Sequence, residues 1–247
     1  MVGELSTDTF RNWEKHQKIL VFLAHPDDPE FFCGASIANW TSSGHEVVYC
    51  LFTRGERGVN GHVVDPKALM VRRREEQIAA ASTLGVKRVT FLEFPDGYLV
   101  PDLEARRAAV RVIRQERPDI VVTCDPLNCF PGPNRINHPD HRAAGQIVMD
   151  AVFPAAGNPM FFSELLEEEG LQPHDVREIW FSLTHRPNIK VDVTRFWELK
   201  IAALKCHRSQ IENPEELERR MRSRVAADSN PANPRYEEHF YRVVFGG

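Results

Sequence analysis

Two short segments hold the residue types that bind divalent metals and move protons. The first, LAHPDDPE (23–30), carries His25, Asp27, Asp28 and Glu30 around Pro26 and Pro29; the second, NHPDH (137–141), carries His138, Asp140 and His141. Imidazole nitrogen and carboxylate oxygen are both ligands for zinc, and a catalytic zinc site takes three protein ligands and leaves one position open. Taken singly, each segment also has an ordinary reading, with Asp27 and Asp28 capping a helix and His25 packed at the surface. Spacing leaves the ligands unassigned. In a continuing strand His25 and Asp27 would share a face. A sharp turn at Pro26 and Pro29 would instead bring His25 and Asp28 to one ion and leave Asp27 facing its water.

The elements around these segments decide whether they can meet. KILVFLA (18–24) is a continuous apolar run too short for a typical helix, which predicts a strand buried on both faces. HEVVYCLFT (45–53), KRVTFLEF (87–94) and DIVVTC (119–124) predict three more strands. Helices are expected over 33–43, ended by Gly44, over 67–84, stopped at Gly85, over 102–117 with Asp102 as N-cap, and from about Asp140 onward. Further on, EIWFSLTH, NIKVDV and a closing HFYRVVF read as strands, with helices over 194–208 and 214–227. Alternation of this kind implies parallel β-α-β units in a single α/β domain, a three-layer α/β/α, Rossmann-like fold with a mostly parallel sheet.

In such a sheet ligands bind beyond the carboxyl ends of the strands. His25, Asp27 and Asp28 follow the first strand, Arg54 and Glu56 the second, Asp96 the third, and His138, Asp140 and His141 the fourth. The two His/Asp clusters therefore fall at one edge, which favours a metal over two unrelated caps. A dinucleotide site is excluded, because the first turn has two carboxylates where a glycine-rich loop would cradle a pyrophosphate.

Composition narrows the classes further. With 247 residues, 42% hydrophobic and 27% charged, the chain has the profile of a globular protein with a full core. A net charge of -4 gives no reason to expect nucleic acid, and the arginine clusters at 72–74 and 219–224 are interleaved with acids. Five cysteines, none in a C-x-x-C pair, read as reduced core residues rather than a disulfide framework. The first residues lack a signal-peptide core and no run has the length of a membrane span, so a cytoplasmic protein with no membrane partner is expected.

AHPDDPE together with NHPDH resembles the PIG-L/LmbE family of zinc-dependent N-deacetylases. The likeness continues through LFTRGERG, RRREEQIAAASTLGV, PDGYL, HPDHRAAGQIVMDAVF and KIAALKCHRSQ, and so covers most of residues 18–210. It implies an LmbE-like fold over 1–247, with 211–247 as a C-terminal extension. It implies His25, Asp28 and His141 as zinc ligands, with another divalent metal such as Fe2+ as the alternative. Asp27 would be the general base, and His138 would stabilise the oxyanion or assist as an acid. Asp140 would orient His141 or cap its helix. Arg54, Arg73 and Asp96 are candidates for substrate contact, each against an ordinary structural role. His207 in KCHRSQ resembles a family feature but as a lone helical histidine reads as packed, while His62 and His185 have no further support. In the more usual first motif a glutamate follows the two aspartates; here Pro29 intervenes, which leaves Glu30 without an assigned role.

The resemblance implies removal of an acetyl group from a small N-acetylglucosamine-containing molecule or oligosaccharide. An amidase for a larger acyl group, and a non-catalytic metal- or sugar-binding homologue, are the alternatives. Retention of Asp27 and His138 beside the three implied ligands argues against the second. The family also suggests a trimer or hexamer, with the apolar stretch 150–166 as a contact surface or a flap over the site.

Overall fold

In the computed structural model, residues 6–7, 13, 15–58 and 65–246 are described. The apolar runs become the middle of the sheet. β2 (Lys18–Leu23), β3 (Glu46–Leu51), β5 (Ile120–Cys124) and β6 (Glu178–Ser182) are buried along nearly all their length. Helices on both faces account for such continuous apolar sequence. With β1 (Ser6–Thr7), β4 (Arg88–Phe91), β7 (Ile189–Asp192) and β8 (Glu237–Val244), the order is β1-β7-β8-β6-β5-β2-β3-β4. Pairing is parallel except where β8 runs against β6 and β7. All seven expected strands are present. β1 lies in a segment that showed no strand pattern. β8 does not close the sheet at an edge but lies between β6 and β7.

Side chains of β2 alternate between two cores. Ile19, Val21 and Leu23 pack with α1 (Asp28–Ser42), α2 (Pro66–Thr83) and α6 (Trp197–Leu204). Leu20, Phe22 and Ala24 pack with α3 (Leu103–Glu116) and α4 (Pro139–Asp150) on the other face. Helices after β2 and β5 thus leave the sheet on opposite sides, and these two strands are neighbours. Their carboxyl ends form the crevice in which open α/β sheets bind ligands. Both His/Asp segments begin there. On α4, Gly145 permits the close approach, since a Cβ would stand 2.3 Å from the Cys124 carbonyl oxygen.

One helix start differs from expectation. α1 begins at Asp28, not at 33, because Pro29 suits a first helical turn. The apolar periodicity starts at 33 because the helix breaks at Cys33 (φ −146°, ψ 22°) and resumes. Asp102 caps α3 as expected, its Oδ1 accepting from the Ala105 amide at 2.8 Å. The segment after α4 continues as a wide turn over Ala151–Ala156 and a short α5 (Glu164–Glu167), both unanticipated. No helix among the described residues is long and apolar enough to cross a membrane.

Candidate metal centre

After β2 the chain turns rather than extends. The Asp28 amide donates to the His25 carbonyl (3.3 Å), and the His25 amide donates to Oδ2 of Asp28 (2.8 Å). Asp27, at the apex, has φ 85°. Such backbone costs about 1–3 kcal/mol in a non-glycine residue and persists only where its surroundings over-determine it. Here they do. Arg73 Nη2 donates to the Pro26 carbonyl (2.7 Å), and Oε1 of Gln77 accepts from the Asp27 amide (2.8 Å). These are the two ends of one peptide unit, held by side chains four residues apart on α2. Arg73 also donates to Oδ2 of Asp27 (3.2 Å) and to the Gly55 carbonyl (2.8 Å). Gly55 (φ +68°) must lack a Cβ, which would lie 2.3 Å from the Arg73 guanidinium.

The turn brings His25 and Asp28 to one point, and α4 brings His141 to the same place. Oδ2 of Asp28 lies 3.3 Å from His25 Nδ1, and Oδ1 lies 3.0 Å from His141 Nε2. The outer nitrogens have their own partners. His25 Nε2 faces Asp140 Oδ2 (3.1 Å) and Asp96 Oδ1 (3.2 Å), both acceptors, so it carries the proton. His141 Nδ1 faces Asn137 Oδ1 (3.0 Å), and Asn137 spends its amide on the Asn128 carbonyl, so Nδ1 carries the proton. Both inner nitrogens face the Asp28 carboxylate, positions from which they could give lone pairs to a metal. Two oriented imidazoles and a carboxylate suit zinc, and hydrogen bonds to the outer nitrogens are how proteins fix such ligands. His25, His138 and His141 also place ring nitrogens within 4.8 Å of one another.

The other sequence candidates separate. Asp140 neither orients His141 nor caps α4: it meets His25 and accepts from the amides of Gly97 (2.7 Å) and Leu99 (3.2 Å). His138 is the N-cap instead, its Nδ1 accepting from the Asp140 amide at 3.2 Å. That fixes the His138 proton on Nε2. Asp96 lines the cavity but is occupied by His25 and the Arg57 amide. Arg54 does not line it; its guanidinium pairs with Glu93 and Met70. His207 is fully buried against Glu30, and His185 hydrogen-bonds the Phe130 carbonyl. His62 lies outside the described residues.

Burial and charge push the two adjacent carboxyls apart. Burial raises Asp27 to about 6, against the Arg73 guanidinium, which lowers it. Burial also opposes ionisation of Asp28, but His141 and His25 hold it well below the usual carboxylate range. Lost hydration lowers His138, and the nearby His25 and His141 lower it further.

A cavity of about 770 Å³ opens above this group. His25, Asp27, Asp28, His138 and His141 form its floor, Phe31, Phe32 and Ile136 an apolar wall, and Arg57, Arg135, Arg220 and Arg224 much of its rim. No residue of 150–166 lines it, so that stretch is not a flap here. Sequence reasoning missed Asn137, Gln77 and the rim arginines. Asn137 had a usable signal, standing four residues before His141 on the approach to a helix. Arg220 and Arg224 belong to the 219–224 cluster, which reads as a solvated face, and Arg57 and Arg135 come from segments far from it in the chain.

Fold and donor set together define a Rossmann-like α/β protein with a two-histidine, one-carboxylate centre at the switch point of its sheet. The family model described as PIG-L, GlcNAc-PI de-N-acetylase, matches residues 20–152, and the chain belongs to this family. It is 40% identical over 202 residues to diacetylchitobiose deacetylase of Thermococcus kodakarensis, covering 81% of this chain and 72% of that protein. It is 31% identical over 208 residues to the 1D-myo-inositol 2-acetamido-2-deoxy-alpha-D-glucopyranoside deacetylase of Rhodococcus opacus, covering 74% of this chain and 67% of that one. Among solved structures, N,N'-diacetylchitobiose deacetylase from Pyrococcus horikoshii superposes with a TM-score of 0.84 at 31% identity, covering 96% of this chain and 87% of that one.

Proposed function

We propose that this protein is a zinc-dependent N-deacetylase that hydrolyses the acetamide of a small N-acetylglucosamine-containing molecule. The observation that carries this reading is the convergence of His25 Nδ1 and His141 Nε2 on Asp28, with Asp27 beside them on the cavity floor. Relatives named as deacetylases of N-acetylated glucosamine compounds support it.

His25, Asp28 and His141 would hold the metal. Asp28 is the better third ligand than His138, since both its oxygens already contact the two histidines and its charge is buried. Bound zinc supplies Lewis acidity and lowers the pKa of a water at the open position. Asp27 takes the proton of the attacking water and returns it to the departing amine. His138 Nε2–H donates to the carbonyl oxygen as negative charge develops there, a donor fixed in advance by the Asp140 amide on its other nitrogen.

The test uses zinc-loaded protein with N-acetylglucosamine and N,N'-diacetylchitobiose, measuring released acetate. Acetate release should stop with chelator, and Asp27→Asn should lower kcat by about 10²–10⁴-fold while the metal stays bound. Asp28→Asn should lose the metal and His138→Ala keep it. Acetate release indifferent to both chelator and Asp27→Asn would sink the reading.

A further inference from the structure

Behind the cavity floor lies a second polar group, fully buried and facing away from substrate. Gln77 on α2, Glu30 in the first turn of α1 and His207 after α6 are each 0% exposed. The Gln77 side-chain amide donates to both oxygens of Glu30 at 3.0 Å. Glu30 Oε2 accepts from His207 Nε2 at 3.1 Å. Gln77 Oε1 is thereby turned the other way, where it accepts from the amide of Asp27. The carboxylate decides which end of the Gln77 amide faces the turn, because two donors on one side leave only the acceptor for the other.

We infer that Glu30, Gln77 and His207 form a positioning relay that locks the Pro26–Asp27 peptide in its left-handed turn and so aims the Asp27 carboxylate. The inference rests on reading Asp27 as the general base. None of the three faces the cavity, so none is a catalytic residue. Arg73 holds the carbonyl end of the same peptide, and among the described residues Gln77 alone holds the amide end. The relay also gives Glu30 a role in spite of its displacement by Pro29. The first helical turn brings Glu30 back beside α2 rather than out to solvent. His207 meets Glu30 through Nε2, and among the described residues no hydrogen-bond partner meets its Nδ1, so its imidazole is directed at the relay.

The distinguishing variant is Glu30→Gln. With its oxygen kept on the His207 Nε2–H, an amide at position 30 turns its NH2 on the Gln77 donor; Gln77 then turns over, and a donor faces the Asp27 amide. Adding Gln77→Glu restores the pattern with the polarity reversed, an amide at 30 donating to a carboxylate that still accepts from Asp27. With N,N'-diacetylchitobiose, Glu30→Gln should lose about 10²-fold in kcat, as expected for a misplaced catalytic group. KM and bound zinc per folded protein should stay within about twofold, and the double variant should recover most of the loss. A merely structural network would lower melting temperature and leave kcat per folded, zinc-loaded molecule unchanged, and that result overturns the inference. So does a crystal structure of Glu30→Gln in which Asp27 keeps φ near +85° with its amide still bonded to Gln77. That second readout holds whatever the activity. Full activity of Asp27→Asn would instead defeat the general-base reading, a result separate from the geometry of the lock.

Discussion

His25 Nε2, at the end of β2, lies 3.1 Å from Oδ2 of Asp140, which sits 115 residues later in the first turn of α4. Asp140 is fully buried, and its other contacts are the amides of Gly97 and Leu99 in the loop after β4. One carboxylate therefore ties three strand ends together and sets the tautomer of a ligand histidine. Asp140→Asn should lower zinc affinity by about 10–100-fold, the usual effect of removing a partner behind a metal-binding histidine. Competition titration against a chromophoric chelator measures this. Unchanged affinity would mean that Asp96 alone orients the ring.

The two candidate substrate arginines should behave oppositely. Arg54 is spent on Glu93 and Met70 outside the cavity, so Arg54→Gln should leave kcat and KM within about twofold, as for a surface change. Arg73 is 4% exposed and holds Pro26, Asp27 and Gly55. Arg73→Gln should lower kcat by about 10²-fold through displacement of Asp27, with KM less affected. Lysine should not rescue it, since one ammonium cannot reproduce a planar fork over three acceptors. A rise in KM alone would show a direct substrate contact instead.

Much of this was legible in the chain because it rests on local pattern. Apolar runs of strand length, separated by helix-length periodic segments, gave the sheet and placed both His/Asp segments at one edge. Pro26 and Pro29 favour a turn over a continuing strand, and the chain does turn there. What stayed hidden depends on partners far apart in sequence. Nothing near Asp140 indicates that it meets His25 rather than His141, the very next residue on the same helix. Gln77 looks like any helix glutamine, and Glu30 looks displaced until the turn of α1 brings it to His207, 177 residues on. β8 carried a strand pattern, but no pattern says that the last strand inserts between β6 and β7.

Acid stability should depend on Glu178. It is nearly buried at the base of β6 and accepts from Arg242 Nε (2.8 Å), Arg242 Nη2 (2.9 Å) and Trp180 Nε1 (2.9 Å). Burial alone would raise its carboxyl, but the Arg242 and Trp180 hydrogen bonds bring it below the ordinary value. A depressed folded-state pKa adds stability above the unfolded value of about 4.3, lost as pH falls through the folded one. Glu178→Gln should therefore cost about 1.5–3 kcal/mol at pH 7. The gap to wild type should narrow in urea unfolding below pH 4. A gap constant from pH 7 to pH 3 would rule out the ionised carboxylate as its source.

The break in α1 at Cys33 should make a buried ion pair essential. Helix interruption leaves the Ala35 and Ser36 amides without helical acceptors, and Glu238 of β8 takes both, at 3.2 and 2.7 Å. That carboxylate is 5% exposed, and Lys200 of α6 neutralises it at 2.6 Å while also donating to the Phe31 carbonyl at 2.9 Å. Lys200→Met leaves a buried charge with only amides for company and should cost about 3–5 kcal/mol. Lys200→Met with Glu238→Gln removes the naked charge, while the amide oxygen still accepts from α1. The double variant should be more stable than Lys200→Met alone, with a coupling of about 0.5–3 kcal/mol in chemical denaturation. Additive losses would show that Glu238 serves the helix break through its hydrogen bonds alone, with no need of the lysine's charge.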